Sequence, residues 1–174
     1  MRVSSLPLTV TMPILLAACS TSPPVTAPEV PTALQPPPGQ VVYLEALATG
    51  VQIYECSQKP DSTYEWTFKA PEASLATRSG QELGKHYAGP TWESPDGSAV
   101  VGEVKARDPG PTSSAIPWLL LSAKANRGSG VFSGARSIQR VSTKGGIAPA
   151  EPCDAASLHK VARMPYTASY YFYR

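Results

Sequence analysis

The densest group of chemically capable side chains lies between His86 and Asp96, where His86, Tyr87, Trp92, Glu93 and Asp96 follow one another closely. A histidine with two carboxylates nearby is the raw material for a metal site or a general acid–base pair. Partners are scarce, because the only other histidine, His159, lies in a polar stretch beyond Cys153. Structural zinc takes four Cys/His ligands and catalytic zinc three protein ligands. His86, Glu93 and Asp96 supply three only if the loop folds back on itself. The simpler role for His86 is structural hydrogen bonding, and neither a metal nor a cofactor is expected. Tyr87 and Trp92 flank the Gly89-Pro90 bend, with Lys85, Glu93 and Asp96 close by. Exposed, such a pair stacks on a sugar ring or an apolar ligand; the competing reading makes Trp92 a core residue and Gly89-Pro90 a turn. Asp96-Gly97 reads as a turn signal without chemistry.

Other reactive patterns are missing. There is no G-x-S-x-G, and Ser129 between Gly128 and Gly130 suits a flexible loop better than a strained nucleophile elbow. Gly128, Gly130 and Gly134 make no phosphate loop, since no Gly-Lys-Ser/Thr follows. A formal charge of +2 without any Lys/Arg run argues against a nucleic-acid partner. Tyr166, Tyr170, Tyr171, Phe172 and Tyr173 offer an aromatic ligand face, but they read first as a strand that is half core and half sheet surface.

The elements that position these residues begin with an export signal. Arg2 precedes a short apolar run from Leu6 to Leu16, and Leu16-Ala17-Ala18-Cys19 has the form of a lipobox. The run is too short to span a bilayer as a helix. Residues 1–18 are therefore expected to be a lipoprotein signal peptide and Cys19 the lipidated residue. Acyl chains anchor a protein without a transmembrane helix, and Ser20 after the cysteine favours an outer-membrane address facing the periplasm. Between residues 20 and 40 seven prolines occur: Pro23, Pro24, Pro28, Pro31, Pro36, Pro37 and Pro38. Proline fixes φ and lacks an amide donor, so residues 19–40 are expected to be an extended tether.

From Val41 to Arg174 the pattern is that of one β domain. Tyr64, Trp66 and Phe68 alternate with polar residues and share a face. Gly50–Cys56, Ser98–Ala106, Ile116–Ala123, Ser137–Ser142 and Tyr166–Tyr173 read as further strands, separated by Gly/Pro/Asp/Ser punctuation. Helical turns are expected only within Ala70–Gly84 and Asp154–Leu158. Strands at this spacing predict an antiparallel β-sandwich or barrel. With Cys19 taken by lipid, Cys56 and Cys153 remain as a pair, and an oxidising compartment should bridge them. Their separation of 97 residues makes the stabilisation large, about 4–5 kcal/mol on a chain-entropy estimate.

Gly50–Cys56 (GVQIYEC), Trp66, Pro71-Glu72-Ala73, Gly84–Glu93 (GKHYAGPTWE), Asp96-Gly97-Ser98, Ile116–Leu121 (IPWLLL), Ile138-Gln139-Arg140-Val141, Gly145-Gly146 and Pro165–Ala168 (PYTA) form an ordered series. Together they resemble the domain-of-unknown-function family 3455, over roughly Pro36 to Arg174. The resemblance implies an exported protein, and Cys56 and Cys153 fall where the family's cysteines do. It implies no activity. On the residues themselves, the expected function is a lipid-anchored envelope protein with a β binding or interaction domain. Its partners would be the membrane, through the anchor, and a small molecule, glycan or envelope protein. A structural lipoprotein without a pocket, and an envelope hydrolase or metal-dependent enzyme using His86, Glu93 and Asp96, are the alternatives.

Overall fold

Of the two β architectures expected, the chain adopts the barrel. The structure is a computed structural model and describes residues 24–174. The signal segment 1–18 and the lipidation candidate Cys19 lie outside the described residues. Eight antiparallel strands follow one another in chain order: β1 (Val42–Gln58), β2 (Tyr64–Ala76), β3 (Glu82–Tyr87), β4 (Thr91–Glu93), β5 (Ala99–Asp108), β6 (Trp118–Arg127), β7 (Ser137–Gly145) and β8 (Val161–Tyr173). β8 returns to pair with β1, Ala48 opposite Ala168 and Gly50 opposite Tyr166, so the sheet closes and leaves no free edge. No helix among the described residues is long and apolar enough to cross a membrane. Outward positions such as Glu72, Lys85, Glu103, Lys105 and Arg163 are exposed and charged, where a lipid-facing barrel would carry an apolar band.

The helical turn expected within Ala70–Gly84 is strand instead. In β2 a bulge at Lys69 separates the Tyr54/Phe68 pair from the Ile53/Ala70 pair. A bulge adds one residue and reverses the parity of everything beyond it. Phe68 and Pro71 therefore both line the barrel interior, and the alternation legible up to Phe68 resumes out of phase. The second expected turn is present, as a 3-10 turn at Ala155–Ser157 in which the Ser157 amide donates to the Asp154 carboxylate at 2.8 Å.

Small residues among the inward positions make room for large ones. Ala46, Ala48 and Gly50 of β1, Ala73 of β2 and Ala168 of β8 are interleaved with Trp92, Tyr170, Phe172 and Phe132. Gly102 of β5 belongs to this scheme, because a Cβ there would stand 2.9 Å from the Trp92 ring and 3.1 Å from Leu121. The C-terminal strand divides as expected. Tyr166, Tyr170 and Phe172 point inward, while Tyr171 and Tyr173 form a second cluster with Val141 on the outer surface.

That outer cluster is covered by the proline-rich segment. Val25 and Val30 pack against it, Leu34 in a short 3-10 turn (Thr32–Leu34) is fully buried, and the Gln139 amide donates to the Leu34 carbonyl at 2.7 Å. Gln139 also accepts the Tyr173 hydroxyl. Over residues 24–40 the expected tether is thus seated on the barrel and does not stand clear of it. Proline barred it from the sheet but not from apolar packing. At the other end of the molecule Cys56 and Cys153 form the expected disulfide, with sulfurs 1.98 Å and Cα atoms 5.5 Å apart.

Candidate ligand-binding cavity

The two ends of the barrel differ. At one, the β6–β7 connection folds inward as a stopper. Asp96 Oδ1 accepts the Ser98 hydroxyl at 2.6 Å and the Ser98 amide at 2.8 Å, while Oδ2 accepts the Val131 amide at 2.8 Å. The Ser98 hydroxyl accepts the Phe132 amide, and the Asn126 amide bonds the Ser133 and Ala135 carbonyls. Phe132 is fully buried against Phe172. These bonds, that of the Ser98 hydroxyl foremost, hold the Asp96 carboxyl at a pKa of about 2.

The opposite end opens into a cavity of about 490 Å³, inside the usual range for small-molecule sites. Its rim carries the exposed residues Phe68, Lys69, Ala88, Gly89 and Arg107. A second bulge, at Lys105, turns Arg107 toward this mouth, opposite Leu119. Deeper walls are apolar, with Ile116, Leu119, Leu121 and the face of Trp92. The disulfide lies at the same end, on β1 two residues beyond Tyr54. The Tyr54 hydroxyl donates to the Gly146 carbonyl at 2.7 Å, and Trp66 Nε1 to the Glu151 carbonyl at 2.9 Å. The long β7–β8 connection is thus pinned beside the opening.

Six polar side chains line the buried part: Gln52, Tyr54, His86, Trp92, Arg140 and Tyr170. His86 stacks on Trp92 with ring centres 4.4 Å apart, and its Nδ1 lies 2.9 Å from the Thr91 carbonyl. A carbonyl only accepts, so Nδ1 carries the proton and Nε2 the lone pair. Burial pushes the His86 pKa down to about 3, aided by the Arg140 charge and opposed by the Thr91 bond, so the ring is neutral. Arg140 is 8% exposed; its Nε and Nη2 both donate to the Pro117 carbonyl, at 3.1 and 2.8 Å. Gln52 Nε2, Trp92 Nε1 and the Tyr170 hydroxyl make no well-formed hydrogen bond within the protein; the Tyr170 hydroxyl lies beside Arg140 and Tyr166, and Gln52 beside Tyr166. Burial raises the Tyr170 pKa, so the hydroxyl keeps its proton and can donate.

His86 and Trp92 of the sequence candidates reach this cavity; Tyr87, Glu93 and Asp96 do not. In β3 and β4, neighbouring residues point to opposite faces. Tyr87 and Glu93 accordingly lie outside, where the Tyr87 hydroxyl bonds the Glu93 carboxylate. Asp96 belongs to the stopper. The acid–base or metal triad of His86, Glu93 and Asp96 is therefore not assembled. Among the described residues no three His, Cys, Asp or Glu side chains gather closely enough for a metal ion. Trp92, 1% exposed, offers no surface stacking platform with Tyr87. Sequence reasoning missed Gln52 and Arg140 as cavity residues and weighed Tyr170 only as part of an aromatic face. Val51 and Ile53 look like the inward face of β1, yet the inward residues are Gln52, Tyr54 and Cys56. In β7, Ile138/Arg140 and Gln139/Val141 each pair one apolar with one polar residue, so neither face announces itself.

The model of one family, described as a protein of unknown function (DUF3455), matches residues 37–174. No curated protein and no solved structure matches the chain.

Proposed function

The chain belongs to the DUF3455 family, and for it we propose a lipid-anchored envelope protein whose barrel binds a small molecule in its interior. The observation that carries the reading is the cavity of about 490 Å³ at the open end. Apolar walls with a few convergent polar groups are the usual make-up of a small-molecule site. The alternative of a pocketless structural lipoprotein is disfavoured by the same observation. The hydrolase alternative loses its support with the separation of His86, Glu93 and Asp96. Anchoring rests on the Leu16-Ala17-Ala18-Cys19 pattern, and an outer-membrane position facing the periplasm on Ser20.

Binding is tested with the purified, oxidised protein and the neutral fluorophore N-phenyl-1-naphthylamine. Saturable uptake of one molecule per chain is expected, and Val104→Phe, which adds bulk to the cavity wall, should abolish it. A probe that never saturates, or binds equally well to the filled variant, refutes the interior site. Anchoring is tested by Cys19→Ala, which should release the protein from the membrane fraction. Retention after alkaline washing would overturn the lipid anchor.

A further inference from the structure

We infer that the cavity receives a small organic anion, its charged end held by Arg140 with the Tyr170 hydroxyl and the Gln52 amide. The inference deepens the proposed binding function and rests on it. Arg140 occupies an inward position of β7, opposite Tyr170 of β8 and Leu119 of β6. Of the five N–H groups on a guanidinium, two are engaged by the Pro117 carbonyl. Three remain, and no carboxylate pairs with them. The ion pairs of the described residues are Lys59–Glu65, Lys69–Glu55, Arg78–Glu45, Lys105–Glu103, His159–Glu55 and Arg163–Glu72, none involving Arg140.

A buried cation without a counterion costs several kcal/mol, and an anion seated beside it offsets that cost. The surrounding groups agree in sign. Lys69 and Arg107 stand at the rim, and no Asp or Glu lines the cavity. Lys69 already faces Glu55 at 3.5 Å, which leaves Arg107 and Arg140 as the cations free to act on a guest. Gln52 Nε2 and Trp92 Nε1 are donors without protein partners and the Tyr170 hydroxyl can donate as well as accept, which leaves the lone pair of His86 Nε2 as an acceptor beside them. A cationic guest would meet Arg140 unopposed, and a neutral one would leave its charge uncompensated. Apolar walls such as Ile116, Leu119 and Leu121 call for an organic body, which a bare inorganic ion lacks.

The test compares N-phenyl-1-naphthylamine with its 8-sulfonate, two probes that differ only in the anionic group. Both are titrated into the oxidised full chain and into Arg140→Gln and Arg140→Lys. The sulfonate should bind about tenfold or more tighter than the neutral amine, as a charge-assisted hydrogen bond in a buried site allows. Arg140→Gln should remove that preference, and Arg140→Lys should keep part of it. Equal affinities for the two probes in the unaltered protein, a comparison independent of any variant's folding, overturn the anion site and leave the binding cavity standing. Binding of neither probe overturns both.

Discussion

His86 shows how one side chain can be structural and still face the cavity. Its ring is held between the Thr91 carbonyl and the Trp92 face, and its pKa is lowered from 6.5 to about 3 by burial. The folded ring stays neutral where the unfolded chain already takes up a proton. Stability should therefore fall as pH drops from about 6.5 to about 3, by up to about 1.4 kcal/mol per pH unit. Asp96 adds a lower window, because its stabilising charge is intact above about 3.8 and lost as pH falls toward about 2. His86→Gln should lower stability at neutral pH by roughly 1–3 kcal/mol and flatten the loss between pH 6.5 and 4. Urea midpoints at both pH values check this; an undiminished slope in the variant would assign the acid sensitivity to other groups.

At the scale of elements, the decisive events are two bulges and one docked segment. The bulge at Lys69 keeps Phe68 and Pro71 on the same side of the sheet, and that at Lys105 turns Arg107 to the mouth. The segment 24–40 is fastened at Gln139, which donates to the Leu34 carbonyl and accepts the Tyr173 hydroxyl in a buried site. Replacing Gln139 with Leu leaves both of those groups unpartnered, at a cost of about 1–3 kcal/mol each at most. Gln139→Leu should therefore lower the thermal midpoint and open the segment 24–40 to proteolysis. Resistance equal to that of the parent protein would show that the apolar contacts of Val25, Val30 and Leu34 hold the segment by themselves.

On the scale of the whole molecule, closure depends on contacts between distant parts of the chain. β1 and β8 meet at opposite ends of the sequence, and the disulfide joins residues 97 positions apart. Cross-linking so long a loop restricts the unfolded chain, by about 4–5 kcal/mol on the entropic account. Reduction, or Cys56→Ser with Cys153→Ser, should therefore shift the urea midpoint strongly downward. The β7–β8 connection beside the cavity should also loosen, visible in the fluorescence of Trp66, whose indole N–H bonds the Glu151 carbonyl. An unchanged midpoint would mean that the closed sheet alone constrains the chain.

The mostly β class, most strand positions and the cysteine pair were legible in the sequence alone. These follow from local alternation, from turn residues and from there being only two cysteines, Cys56 and Cys153, in residues 41–174. The sequence also placed Trp92 and His86 among the residues worth weighing. Closure of the sheet, by contrast, emerges only in the fold, because it is a pairing of β1 with β8 that no local window contains. The fold also decided which face of each strand is inward: the Lys69 bulge resets the parity of β2, and β1 carries an apolar pair, Val51 and Ile53, on its outer side. For that reason Gln52, Arg140 and Tyr170 could not be gathered into one site from their spacing. They come from strands remote in sequence and meet only across the barrel interior.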